Sequence, residues 1–330
     1  MPGMEKSIRL SSSDLSNLYN AYINNTMGIC IMTYFLHNVE DTEVRPIVEE
    51  SLRISSAHLE DITGLFNKEG IVIPTGFPSE KHVNLQADKL FHDPFYLQVI
   101  LNFSKFGIIS YGEAVVASER KDVRELFIRF ANEAMNLHDH TKQTMLEKGI
   151  YVRSPYISYP EKIEFVEKQS FLTGWLGNKR PLTATEMSHL FITAVNNELG
   201  KTLLIGFSLC TKDSEIREYM VRGARISKEI IHSIHDLLWK DDVPFSMTWL
   251  GNVEENNVSP FSDHLMLAIA AYLSGISITM YGSGLAMSMR RDVAAQFGNI
   301  ITKASTYAED GLNIMIDRGW LELPPHTDVI

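Results

Sequence analysis

Four side chains of the kinds that bind metals or move protons are placed where helices can gather them: Asn25, His58, Tyr111 and Glu133. Imidazole and carboxylate are ordinary ligands for iron, manganese or zinc, and both serve as general acids and bases. A phenol and an amide beside them supply the hydrogen bonds that fix an imidazole in one orientation. Three readings fit these residues. They form a satisfied polar layer in a core, a site for a single metal or small ligand with His58 and Glu133 as the metal ligands, or an acid–base pair.

The chain also spells Glu-x-x-His twice, at Glu186/His189 and Glu229/His232. On a helix the two residues share a face. Two such pairs, with a glutamate from each of two more helices, hold a di-iron centre. The surroundings argue against one here. The first pair falls in an opening helical turn beside Met187 and Leu190, and the second lies off the apolar stripe Ile216, Met220, Ser227, Ile234. No carboxylate occurs from His264 to Met289, and the first half offers only Glu113 in the corresponding helix. No cofactor is therefore expected, with iron, manganese or zinc at His58 and Glu133 as the alternative. His138 and His140 point in different directions on a helix and read as solvent-facing. Dinucleotide and phosphate loops, nucleophile elbows and zinc-protease motifs are absent.

The elements that position these residues come from a duplication. Shifted by 172 positions, residues 10–71 fall on 182–243 with sixteen identities; shifted by 170, residues 91–155 fall on 261–325 with sixteen more. Each copy reads as four helices. Ser11-x-x-Asp14 and Thr183-x-x-Glu186 look like capping boxes that open the first helix of each copy. That helix runs from about Asp14 to Asn38 with the stripe Leu15, Leu18, Tyr22, Ile29, Met32, Leu36. The second runs from about Thr42 to Asn67, the third from Asp93, and the fourth from Arg120 to a stop at Gly149. Arg290-Arg291 reads as a helix end, where positive charge complements the dipole. Asn24-Asn25 before Gly28 and Asn196-Asn197 before Gly200 read first as polar notches at helix crossings, with close helix approach at the glycines as the alternative.

Short first and last connections make each pair antiparallel. The long stretch Glu69–His92 between them spans a bundle end to end. The expected fold is all-α: two tandem four-helix bundles in the up-down-down-up order of ferritin-like proteins, at 10–150 and 182–326. Residues 151–181 read as an ordered strap packed on both bundles, with Trp175 as an anchor. Counting from the first interhelical turn puts Asn25 and His58 about 25 Å up the bundle, and Tyr111 and Glu133 reach a similar height. The second copy has Asn197, Ile230, Tyr281 and Lys303 there.

Eight blocks, among them RPIVEESL, LFHDPFYL, KQSFLTGWLGNKRPL, AMSMRRDVA and YAEDGLNIMIDRGWLEL, resemble a Firmicutes family catalogued as a domain of unknown function. Its members carry one or two ferritin-like bundles and are distantly similar to spore coat protein F. The resemblance implies the tandem-bundle fold and no reaction.

Composition narrows the partners. The net charge is −11, with 45% hydrophobic and 22% charged residues, so a folded chain that repels phosphate backbones and anionic membranes is expected. Cys30 and Cys210 lack metal or disulfide spacing and read as buried thiols. No secretory signal is visible, which points to the cytoplasm, with the forespore or spore coat as the specific setting. Leu265–Met289 carries no charge and is long enough to span a bilayer, but reads as a buried bundle helix. The function expected is a non-enzymatic, spore- or stress-associated structural protein that self-associates or joins coat proteins. A metal or redox site in the first bundle, and an apolar ligand carried between helices, are the alternatives.

Overall fold

The computed structural model describes residues 8–174, 179–241, 243, 253–254 and 258–327. Among them the chain is all-α, a tandem of helical bundles. Its helices are α1 (Ser12–Asn38), α2 (Arg45–Glu69), the one-turn α3 (Ser79–His82), α4 (Asp93–Ala117), α5 (Lys121–Glu147), α6 (Ala184–Cys210), α7 (Ser214–Trp239), α8 (Asp263–Met287) and α9 (Arg291–Asp317).

Contacts divide the chain into two units. The first takes in the chain up to Tyr151 together with 258–265 and 318–327 from the second copy; the second takes in the rest. Trp175 lies outside the described residues.

In the first unit, Ser11 caps α1 and Asp14 returns the bond, closing the capping box. Pro46 lies at the start of α2, where its missing N–H costs nothing. Gly70 and Gly149 follow α2 and α5 with φ of 68°, the left-handed conformation that ends a helix. Pairings along the bundle fix its directions. Asn25 meets Tyr111, and Phe35 stacks on Tyr96, so α1 and α4 are antiparallel. His58 meets Glu133, and Asp61 meets Arg129, so α2 and α5 are antiparallel. With each hairpin antiparallel, the order is up-down-down-up. The upper core is Leu18, Tyr22, Ile62, Phe66, Phe127 and Phe130.

The second unit repeats the plan with Thr183/Glu186 as its capping box. Its upper core holds Leu190, Ile234, Leu238, Phe297 and Ile300. Lower down, Tyr219 and Tyr307 stack face to face, 4.3 Å between centroids and 8° between planes.

Several expectations change. Arg290 does not end a helix. It precedes α9, is buried, and binds Asp241 and Asp292 at 3.0 and 2.9 Å. The first unit repeats this cluster with Arg120, Glu69 and Asp122. Gly28 is a close approach, since an added Cβ would lie 2.7 Å from the Phe103 ring, but Gly200 faces open space. In the stretch 151–174 Tyr156, Tyr159 and Phe165 are at least 85% exposed, while Phe171 is partly buried, with the Arg180 guanidinium 4.1 Å from its ring centroid. The apolar helices α4 and α8, which occupy corresponding places in the two copies, are each long and apolar enough to cross a membrane by length and composition, which core helices of a bundle also satisfy. In α4 one face is buried through Phe95, Ile100, Phe106, Tyr111 and Ala114. Cys30 and Cys210 are buried on α1 and α6 and are not joined in a disulfide.

Candidate functional site

One helix from each corner of the first unit contributes to a polar layer halfway along it. Asn25 sits on α1 one turn above Ala21, whose carbonyl takes one of its amide N–H bonds at 2.7 Å. The same amide nitrogen donates to the Tyr111 hydroxyl on α4 at 3.2 Å. That hydroxyl lies 3.4 Å from His58 Nδ1 on α2, and His58 Nε2 lies 2.7 Å from Glu133 Oε2 on α5. The structure thus brings together all four residues singled out from the sequence.

The direction of the chain follows from donor and acceptor chemistry. With the His58 proton on Nε2, the ring donates to the Glu133 carboxylate and accepts from Tyr111, which itself accepts from Asn25. Every bond then has one donor and one acceptor. His58 is 1% exposed, stacked on Phe130 at 3.6 Å and met edge-on by Tyr111. Burial pushes its pKa down, outweighing the upward pull of Glu133, so the neutral ring is the resident form. Burial likewise pushes the Tyr111 phenol up to about 12. Only Glu133, with 29% of its side chain exposed, connects the layer to water.

Both imidazole nitrogens are engaged by protein groups, and the layer holds a single carboxylate. Among the described residues no group of three or more His, Cys, Asp or Glu side chains is placed to hold a metal ion. The Glu-x-x-His pairs have other work. Glu186 is fully buried, bound in a fork by Arg180 at 2.8 Å and accepting the backbone N–H groups of Thr183, Met289 and Arg290. Burial alone would raise this acid, but Arg180 and the backbone donors outweigh it and hold it down to about 2. Glu229 lies at the surface, paired with Lys303 at 2.8 Å. His140 is exposed against Glu50, as expected, whereas His138 is half-buried against Ser104 and the Leu101 carbonyl.

Sequence reasoning passed over Ser51 and read Ser55 only as a position on the apolar stripe of the second helix. They lie on the His58 face of α2, fully buried, and their hydroxyls have no hydrogen-bond partner among the described residues; nor has Asn25 Oδ1. A buried serine one turn from a buried histidine is readable as text, but periodicity does not say whether its hydroxyl is bonded.

A family model described as a protein of unknown function, DUF3231, matches residues 2–163 and again 170–329. The chain belongs to the DUF3231 family. The two matches reproduce the internal duplication, so a DUF3231 unit is one four-helix copy. No curated protein matches the chain. Among solved structures, the chain is similar to a "putative spore coat protein" from Bacillus halodurans at 16% identity and a TM-score of 0.42, covering 47% of this chain and 99% of that one.

Proposed function

We propose that this DUF3231 protein is a non-enzymatic, ferritin-like scaffold whose two bundles, 10–150 and 182–326 joined by 151–181, serve packing and assembly. The observation that supports this reading is the state of His58. Its two ring nitrogens, the imidazole ligand atoms of the layer, are both spent on Glu133 and Tyr111. A layer so engaged orders a core and offers no open coordination position. Self-association, or association with other structural proteins, is the corresponding activity. The cytoplasm is the corresponding compartment, with forespore or spore coat resting on sequence resemblance alone.

Metal analysis of protein purified without added metal tests the first half of this reading: iron, manganese and zinc are expected well below one ion per chain. Light scattering tests the second: oligomers are expected at high concentration, and a strict monomer counts against assembly. A second reading, a small-ligand site in the first bundle, draws on the unpartnered oxygens of Asn25, Ser51 and Ser55. It accommodates hydrogen-bonding ligands better than the small apolar ligand that the sequence leaves as an alternative.

A further inference from the structure

The first unit is completed by two segments of the second copy, and they are held by a cluster of rings. Residue 82 closes the one-turn helix α3 of the crossover. Its backbone carbonyl accepts the Ser262 N–H at 3.0 Å, Asn84 N–H donates to the Pro260 carbonyl at 2.8 Å, and Val83 and Phe261 form an antiparallel bridge. His82 Nδ1 lies 2.7 Å from the Ser262 hydroxyl. His264, in the first turn of α8, meets the His82 ring edge-on at 5.3 Å, Phe77 at 4.9 Å and the face of Trp320 at 5.1 Å. The tail beyond α9 is anchored by the same cluster and by Glu322, whose carboxylate accepts the N–H groups of Thr75 and Gly76.

We propose that His82 and His264 form a pH-sensitive latch that holds 258–265 and 318–327 on the crossover when neutral and releases them in mild acid. The geometry supplies the sign. Two imidazoles in edge contact cannot both be protonated without repulsion between like charges in a half-buried site. The cationic neighbours are Lys81 beside His82 and Arg318, which lies over the Trp320 ring at 5.2 Å; the anionic ones are Glu80 and Glu322. Burial lowers both histidines, Lys81 lowers His82 further and His82 lowers His264 further. Glu80 on the one and the Trp320 backbone on the other pull back only in part. A histidine whose docked pKa is depressed favours the docked form above its free pKa, about 6.5. That preference is lost as pH falls below this value, by up to roughly ten-fold per pH unit for each ring.

The test is hydrogen exchange by mass spectrometry on the full-length protein between pH 7.5 and 5, corrected for intrinsic rates. Peptides covering 79–87, 258–265 and 318–327 should gain exchange by ten-fold or more on acidification, while peptides from the middle of α1 and α5 keep theirs. The His82→Gln/His264→Gln variant retains hydrogen-bonding side chains without the titration, and its exchange should be flat across the same range. A single His264→Gln variant, expected to show about half the logarithmic response, serves should the double variant misfold. Flat wild-type exchange overturns the latch. So does an unchanged response in the variants, and so does acid-induced exchange that rises equally in α1 and α5.

Discussion

The two units share ancestry and helix order, yet their centres are filled by different chemistry. In the first, Asn25, Tyr111, His58 and Glu133 form a continuous hydrogen-bonded line. In the second only the first link survives: Asn197 donates to the Tyr281 hydroxyl at 2.9 Å, while Ile230 and Lys303 replace histidine and glutamate. The level below differs in the opposite sense. The first unit has Ile47, Ser51, Leu137 and Thr141 at the positions where the second has Tyr219, Gly223, Tyr307 and Gly311. Each tyrosine of the stack lies over the glycine of the facing helix. A Cβ on Gly223 would come 2.2 Å from the Tyr307 oxygen, and one on Gly311 would come 2.3 Å from that of Tyr219. Two glycines and two large rings thus replace four medium side chains, which keeps the volume while changing its distribution. The lesson is that a bundle copy can move its polar centre into one layer or dispense with it, provided the changes on facing helices are made together.

The largest break in this comparison comes from forcing one copy's solution into the other piecemeal. Gly223→Val should destabilise the second unit by about 3 kcal/mol, because the stacked Tyr307 ring cannot swing aside as a flexible side-chain end would. Transplanting the whole first-unit set, Tyr219→Ile/Gly223→Ser/Tyr307→Leu/Gly311→Thr, should recover to within about 1.5 kcal/mol of wild type, well short of the summed single effects. Chemical denaturation of the single and quadruple variants checks both.

The polar line gives the next effect. His58→Ala removes a ring stacked on Phe130 and strands the Tyr111 and Glu133 groups, at a cost of about 2–3 kcal/mol. His58→Ile/Glu133→Lys, the second unit's own pair, should cost less than about 1 kcal/mol, since both ends of the interaction leave together. The same double variant isolates the pH response of the layer. The His58 pKa is depressed in the fold, so its contribution is complete above about 6.5 and is lost as pH falls below that value, by up to about 1.4 kcal/mol per pH unit. His82, His138 and His264 are lowered as well and remain in both proteins. The difference between wild type and variant, followed by urea midpoints from pH 7.5 to 5, therefore reports His58.

How much of this was readable in the text depends on whether local pattern or a distant partner decides. Ser11/Asp14 and Thr183/Glu186 are local, and both capping boxes form. The level of Asn25, His58, Tyr111 and Glu133 follows from residue counts along rigid helices, and the four are in contact. Arg290 was misplaced because two arginines after an apolar helix look like a dipole match. Its true partners, Asp241 and Asp292, lie on or beside other helices. The tyrosine stack was missed for a related reason. Matching the copies by identity rewards what stayed the same, whereas Tyr219 with Gly311 and Tyr307 with Gly223 are paired by their differences. Composition says that a strap aromatic can be buried, not that a surface awaits it: Phe171 is covered by Arg180, whereas Tyr156, Tyr159 and Phe165 face solvent.

The smallest effect sharpens the comparison most directly, because both units pair a charge on the last helix with a residue on the second. Glu133 meets a buried histidine; Lys303 meets Glu229 with about half of each side chain in water. Glu229→Gln should shift stability by less than about 0.5 kcal/mol, the ordinary worth of an exposed pair, and the shift should vanish in high salt. Glu133→Gln keeps an acceptor for His58 but loses the charge, and about 1 kcal/mol is expected because the bond is mostly sheltered from solvent. Salt should leave that difference nearly intact. Equal, salt-sensitive effects at the two positions would mean that the His58 layer is a surface pair with a buried end, and the contrast between the two centres would reduce to the tyrosine stack.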